Sequence, residues 1–325
     1  MSQGGSPNAG EDAGLDRLHV ALRDLRQEIR GRHSESRQPT SGPREFDWME
    51  AFRELRHRAG TFGMVERSGE VDEFGMDPVT LRHMRPFLDF LMDRYWRVDV
   101  IGLDRLPDGT PSLLVANRSG LLPYDSVMLS HAVERWDRRR ARPRFLVADW
   151  LITLPFAQPY LARIGGVRAC RENADRLLRT GHSVIAFPEG VKGAAKVFAD
   201  RYRLKRFGRG GVIRAAVENR VPLVPVGIVG PEEAHPVLFK AHALARPFGL
   251  PFLPVTPTFP LLGPLGLLPL PTKWIVKLGE PIPLDGLEAG ALNDELLLSR
   301  LTEELRGRIQ QLINDALDLR ASIWG

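Results

Sequence analysis

Cysteine is nearly absent. Cys170 is the single one in 325 residues, which excludes an intramolecular disulfide and any cysteine-based zinc site. That usage fits a reducing compartment. Lysine is also scarce: only six of the 45 basic residues are lysine and the rest are arginine, whose planar fork grips phosphates and carboxylates. A coding bias toward arginine produces the same balance. The formal charge of +5 and a pI near 9.6 suit anionic lipid, nucleic acid or acidic metabolites alike. No apolar run lies in the N-terminal "MSQGGSPNAGEDAG", so no signal peptide is expected. Charge is missing altogether from Pro247 to Thr272, a segment long enough to suggest a membrane span. It carries eight prolines, each removing a backbone donor that a helix in lipid would have to satisfy internally. A spanning helix is rejected there. An apolar, proline-stiffened loop that packs on the core or dips into a bilayer surface stays open. With no metal-ligand spacing and no nucleotide fingerprint, no cofactor is expected.

What is present falls into three parts. Residues 1–45 read as a disordered start, a short helix and a linker, "GRHSESRQPTSGPRE". In the helix, Leu15, Leu18, Leu22, Leu25 and Ile29 recur at spacings of three and four, an a/d stripe for docking on the body, a partner or a membrane. Residues 46–97 hold N-terminal helices over 46–58 and 78–97, the second interrupted by Pro86. From 98 to 325 strands and helices alternate. "SLLVA", "RFLVA", "GGVRA", "SVIAF", "VPLVPVGIVG" and "KWIVKLG" read as strands. Helices are expected over 124–137, 150–163, 171–181, 208–220 and 291–318. The fold class is therefore α/β, a mostly parallel sheet flanked by helices, with N-terminal helices and a C-terminal helix. Ligands in such sheets gather at the carboxyl ends of strands.

Three stretches at those ends carry polar chemistry. "ANRSGLLPYD" holds Arg118 and Asp125 between a strand and a helix; Asp125 is also well placed as a helix N-cap. "FPEGVKG" ends an apolar strand at Phe187, leaves the sheet at Pro188 and presents Glu189 beside Gly190. "IGGVRACREN" puts Arg171 at the start of a helix, where its fork and the helix N-terminus could both meet an anion. A fourth stretch, "RYRLKRFGRGG", offers Arg201, Arg203, Lys205, Arg206 and Arg209 before a glycine-rich helix start. It reads as a phosphate cradle or as a solvated basic loop.

In order, the Asn–basic–…–Asp block, the Gly-x5-Arg spacing from Gly165 to Arg171, Phe-Pro-Glu-Gly and the "VPLVPV" strand resemble the glycerolipid acyltransferase superfamily over about residues 98–280. "DEFGMDP", "RYRLKRFGRGG" and "PTFPLLGPLGLLPLPTKW" further resemble a bacterial branch with some likeness to diacylglycerol acyltransferases. The resemblance implies transfer of an acyl chain from acyl-CoA or acyl carrier protein to a lysophospholipid or glycerolipid hydroxyl. It implies peripheral attachment to the inner face of the membrane from the cytoplasm, and no nucleic-acid partner. Arg171, Phe187, Pro188, Glu189, Gly190 and Arg209 become substrate-binding candidates, and Arg118 with Asp125 the catalytic pair.

One position departs from that pattern. The family's first block reads Asn-His-x4-Asp, its histidine taking the proton of the acceptor hydroxyl. Here Arg118 stands in the histidine's place and six residues, not four, separate it from Asp125. A guanidinium stays charged and is no general base. Oxyanion stabilisation is open to it. A catalytically silent lipid-binding protein on the same scaffold is the alternative. No substitute base stands out. His131 lies about 120° round the helix from Asp125, His182 falls at the far end of its strand, and His235 follows the "VPVGIVG" strand. Cys170 reads as a small buried packing residue, and Ser119 lacks a nucleophile elbow.

Overall fold

The computed structural model describes residues 71–120, 122–152, 157–245, 252–284, 286–287 and 292–325. The leucine stripe at 15–29, the linker and the expected helix over 46–58 lie outside the described residues. Nine strands are described: β1 (Asp99–Ile101), β2 (Leu113–Ala116), β3 (Arg144–Val147), β4 (Gly166–Arg168), β5 (Val184–Ala186), β6 (Leu223–Val229), β7 (Phe239–Ala241), β8 (Leu253–Val255) and β9 (Ile275–Leu278). Seven form the main sheet in the order β1-β9-β6-β2-β5-β3-β4. β6, β2, β5, β3 and β4 are mutually parallel, whereas β9 pairs antiparallel to β6 and parallel to β1. The mostly parallel sheet is thus as expected, with one reversed edge. The β7–β8 antiparallel pair was not foreseen.

Alternation along the strands sorts the core into two layers. Leu114, Ile185, Val226 and Val276 face α2 (Tyr124–Trp136), with α1 (Pro78–Phe90) in the same layer. Leu113, Val184, Leu223 and Ile275 face α3 (Arg171–Arg179), α4 (Gly211–Asn219) and α5 (Glu295–Leu319). Every residue of β6 is buried, as its unbroken apolar run requires of a central strand. Gly227 lets α5 lie directly on that strand, since a Cβ there would come within 2.8 Å of the Ile313 backbone nitrogen.

Asp77 caps α1, accepting from the Val79 amide at 2.9 Å, with Pro78 at the first helical position. Contrary to expectation, Pro86 does not interrupt this helix, which continues to Phe90 and into a π turn over Leu91–Tyr95. Pro86 lies on the exposed face, where water can take up the carbonyl it leaves unbonded. Of the expected helix over 150–163, the described residues show helical stretches at Asp149–Ile152 and Ala157–Arg163.

Candidate active site

Parallel pairing fixes what meets at the sheet's carboxyl end. Val115 is opposite Ala186, so three residues further on, position 118 falls beside position 189. The Arg118 amide donates to Glu189 Oε1 at 2.9 Å. Asn117, fully buried, fastens the same loop to β6: its side chain accepts from the Ile228 amide at 2.7 Å and donates to the Ile228 carbonyl at 2.9 Å. Asn117 was read only as part of a motif. Its work as a clamp depends on β6, 111 residues away.

The Arg118 guanidinium turns from Glu189 to Asp125, donating through Nη1 at 2.8 Å, and lies over the Phe187 ring at 5.1 Å. Asp125 also accepts from the Ser119 amide at 2.9 Å, the Ser126 amide at 2.7 Å and the Ser126 hydroxyl at 3.1 Å. It is not the N-cap of α2; it is the second helical residue, after Pro123 and Tyr124. Burial pushes its carboxyl above the usual range, opposed by the Arg118 charge and the Ser119 and Ser126 donors. Ring and ion pair together hold a permanent cation in one orientation.

Glu189 is placed differently from what its motif suggests. Its carboxylate is buried and divided among the Arg118 amide, the Lys205 amide at 2.7 Å and the Lys196 ammonium at 3.4 Å. Lys196 reaches Glu232 at 2.6 Å, and Glu232 accepts from the Tyr202 amide at 2.5 Å. Burial lowers the Lys196 ammonium, but the Glu232 and Glu189 carboxylates outweigh it and leave it raised. Glu189 therefore ties the loop after β2 to the long connection after β5 behind the site, and through Lys196 reaches Glu232 after β6. Gly193 permits this packing, because a Cβ there would stand 2.6 Å from that of Glu189 and 2.8 Å from that of Arg118.

In front of Arg118 lies an apolar cavity of about 320 Å³, within the range of small-ligand pockets. Arg118, Phe187, Pro188, Gly190 and Arg171 all line it, so five of the eight expected site residues converge. Asp125 and Glu189 stand behind the lining, and Arg209 is exposed outside it. Arg171 begins α3, and its guanidinium binds the Glu218 carboxylate at 2.6 and 2.7 Å. Cys170 also lines the cavity; it is half-buried, not the buried packing residue expected. Arg214, on α4, completes the polar lining and was not anticipated.

The histidines are occupied elsewhere. His131 meets Asp89 at 2.8 Å, and His235 donates through Nε2 to the Leu267 carbonyl at 2.7 Å while stacking on Tyr124. Neither these nor His182 line the cavity. Burial depresses all three below the usual 6.5. Unfolded histidines then bind more protons than folded ones, so this contribution to stability is present above pH 6.5 and is lost as pH falls through the folded values. Thermal melts should fall between pH 7 and 5, and a His182→Gln/His235→Gln variant should show a shallower acid limb. Among the described residues no group of histidine, cysteine and carboxylate side chains could hold a metal ion.

Comparison with known proteins decides the class. Residues 97–229 match the family model described as Acyltransferase, a segment running from just before β1 to the end of β6 and containing Arg118, Asp125, Arg171 and Glu189. The chain belongs to the acyltransferase family. In this acyltransferase the matched segment holds the ordered motifs by which the sequence resembles the glycerolipid acyltransferases. It is 44% identical over 255 residues to an uncharacterized protein of Mycobacterium leprae, covering 78% of this chain and 70% of that one. An uncharacterized protein of Mycobacterium tuberculosis (strain H37Rv) is 43% identical over 78% of this chain and 71% of its own. Among solved structures, the 1-acyl-sn-glycerophosphate (LPA) acyltransferase PlsC from Thermotoga maritima aligns with a TM-score of 0.48 and 17% identity, over 84% of this chain and 90% of that one.

Proposed function

We propose that this acyltransferase moves a fatty acyl group from acyl-CoA or acyl carrier protein to a lysophospholipid or glycerolipid hydroxyl at the Arg118 cavity. The observation that carries the reading is a guanidinium, fixed by Asp125, in the wall of an apolar cavity able to receive an acyl chain. The acceptor oxygen attacks the thioester carbonyl, the carbon–sulfur bond breaks and the thiolate leaves. Arg118 stabilises the oxyanion that develops between these events. The hydroxyl proton passes by way of water to the departing sulfur, so ester and thiol form without net proton uptake. A resident base speeds this step by roughly 10²–10⁴-fold but is not required by its balance.

One observation favours the silent alternative: among the described residues the titratable groups lining the cavity are Arg118, Cys170, Arg171 and Arg214, with no carboxylate or imidazole. The purified chain, given radiolabelled acyl-CoA and a panel of lysolipids and diacylglycerol in vesicles, separates the two. Ester formed in proportion to protein supports the enzyme. Lipid binding with no ester from any pair supports the silent scaffold.

No helix among the described residues is long and apolar enough to cross a membrane. Attachment to the inner leaflet is assigned instead to the uncharged loop. Leu261, 84% exposed, projects from it with Leu262, Leu265 and Leu268. The loop is joined to the π turn after α1 where the Tyr95 hydroxyl donates to the Pro269 carbonyl at 2.6 Å, beside exposed Phe90. Each leucine withdrawn from water contributes roughly 1.5–3 kcal/mol. Leu261→Ser/Leu265→Ser/Leu268→Ser should therefore reduce partition onto anionic vesicles at least about tenfold with the melting temperature unchanged. Undiminished co-sedimentation would remove this loop as the anchor.

A further inference from the structure

Four of the chain's six lysines, Lys192, Lys196, Lys205 and Lys240, line one cavity of about 360 Å³. The other two, Lys273 and Lys277, are engaged by Asp99 at 2.7 Å and Asp315 at 2.8 Å. In a chain that uses arginine almost everywhere else, this concentration singles out one place. Lys196 lies in the lining with its side chain 3% exposed, held by the Glu232 and Glu189 carboxylates. Lys205 pairs with Asp200 at 2.7 Å, the only carboxylate among the described residues of the lining. Lys192 and Lys240 have no ion-pair partner among the described residues. Asp200 thus answers both Lys205 and, at longer range, Lys240, and ammonium groups outnumber carboxylates among the described residues of this concave lining. A lysine ammonium is a compact charge with three donors on a flexible stem, well suited to phosphate oxygens arriving from several directions.

The position of this cavity connects it to the acyl site. Val191 lines both cavities, so the short helix Gly190–Ala194 is the wall between them, with Lys192 on the same helix. We infer that the lysine cavity binds the phosphate groups of a substrate whose apolar chain occupies the Arg118 cavity. The choice of substrate rests on the acyl-transfer reading; the anion site itself does not. The phosphates come either from the nucleotide end of a CoA thioester or from the headgroup of an acidic lysolipid.

Calorimetric titration of the full chain with CoA, with pantetheine as the phosphate-free control, and separately with glycerol 3-phosphate tests this without needing turnover. Wild type should bind at least one phosphate probe, more weakly as salt rises, and pantetheine much less. Lys192→Ala/Lys240→Ala should weaken the phosphate probe at least roughly 10- to 100-fold, the scale of losing one charged hydrogen bond, while Lys192→Arg/Lys240→Arg retains most affinity. Both lysines reach the surface, and unchanged melting temperatures would confirm that the variants fold. A loss confined to CoA assigns the cavity to the donor; a loss confined to glycerol 3-phosphate assigns it to the acceptor. Equal binding by wild type and the alanine variant, or no binding of either probe by wild type at millimolar concentration, overturns the inference. Turnover without such binding would leave the acyl-transfer reading standing.

Discussion

Arg118→Met is expected to lower acyl transfer by about 10²–10³-fold, the loss typical of removing one oxyanion-stabilising donor. It should also cost about 3–5 kcal/mol of stability, because breaking a buried ion pair leaves the partner uncompensated. Asp125 is that partner, with its side chain fully buried at 2.8 Å from the guanidinium. Burial already raises its carboxyl, and losing the cation removes the largest opposing influence. The two effects separate in the double variant. Arg118→Met/Asp125→Asn replaces a charged pair by a neutral one and should regain much of the lost stability. It should regain none of the rate, since the cation at the cavity wall is still missing. Denaturation midpoints and kcat/KM on the three proteins give both quantities.

Glu189→Ala is expected to destabilise the fold by about 2–6 kcal/mol, the cost of leaving two buried backbone donors without acceptors, while Lys196 keeps its ion pair with Glu232. Three groups lose their shared partner at once: the Arg118 amide, the Lys205 amide and the Lys196 ammonium. Hydrogen exchange should quicken first at the Arg118 and Lys205 amides, because both loops are tied to the sheet's end through this carboxylate. Activity should fall with the loop order, as befits a residue that positions Arg118 and does not face the cavity. Unchanged exchange at both amides, together with lost turnover, would mean that Glu189 acts directly on substrate.

Much of this site could be read from the chain before its structure. Alternating apolar runs gave the strand order in sequence, and parallel pairing made the convergence of the "ANRSG" and "FPEG" loops foreseeable. What stayed hidden depended on contacts distant in sequence. Glu189 looked like a pocket residue because a motif shows a side chain's position along the chain and not the amides waiting for it; Lys205 lies 16 residues further on. Lys196 and Glu232 carried no signal beyond the rarity of lysine. The reversal of β9 was equally invisible, since "KWIVKLG" is apolar in either direction and only the long excursion after β6 lets it return antiparallel. The histidines illustrate the same limit. His131 was correctly separated from Asp125 by helical geometry, yet its true partner, Asp89, is 42 residues away on α1.

The most direct measurement is the acyl-transfer rate of Arg118→His beside wild type, across pH 6 to 9. With a cation as the working group, the histidine variant should be slower at every pH, because a neutral imidazole is both shorter and uncharged where Asp125 and the oxyanion require positive charge. A histidine variant faster than wild type, gaining rate as the imidazole deprotonates, would contradict the account and show that residue 118 was an empty place for a base.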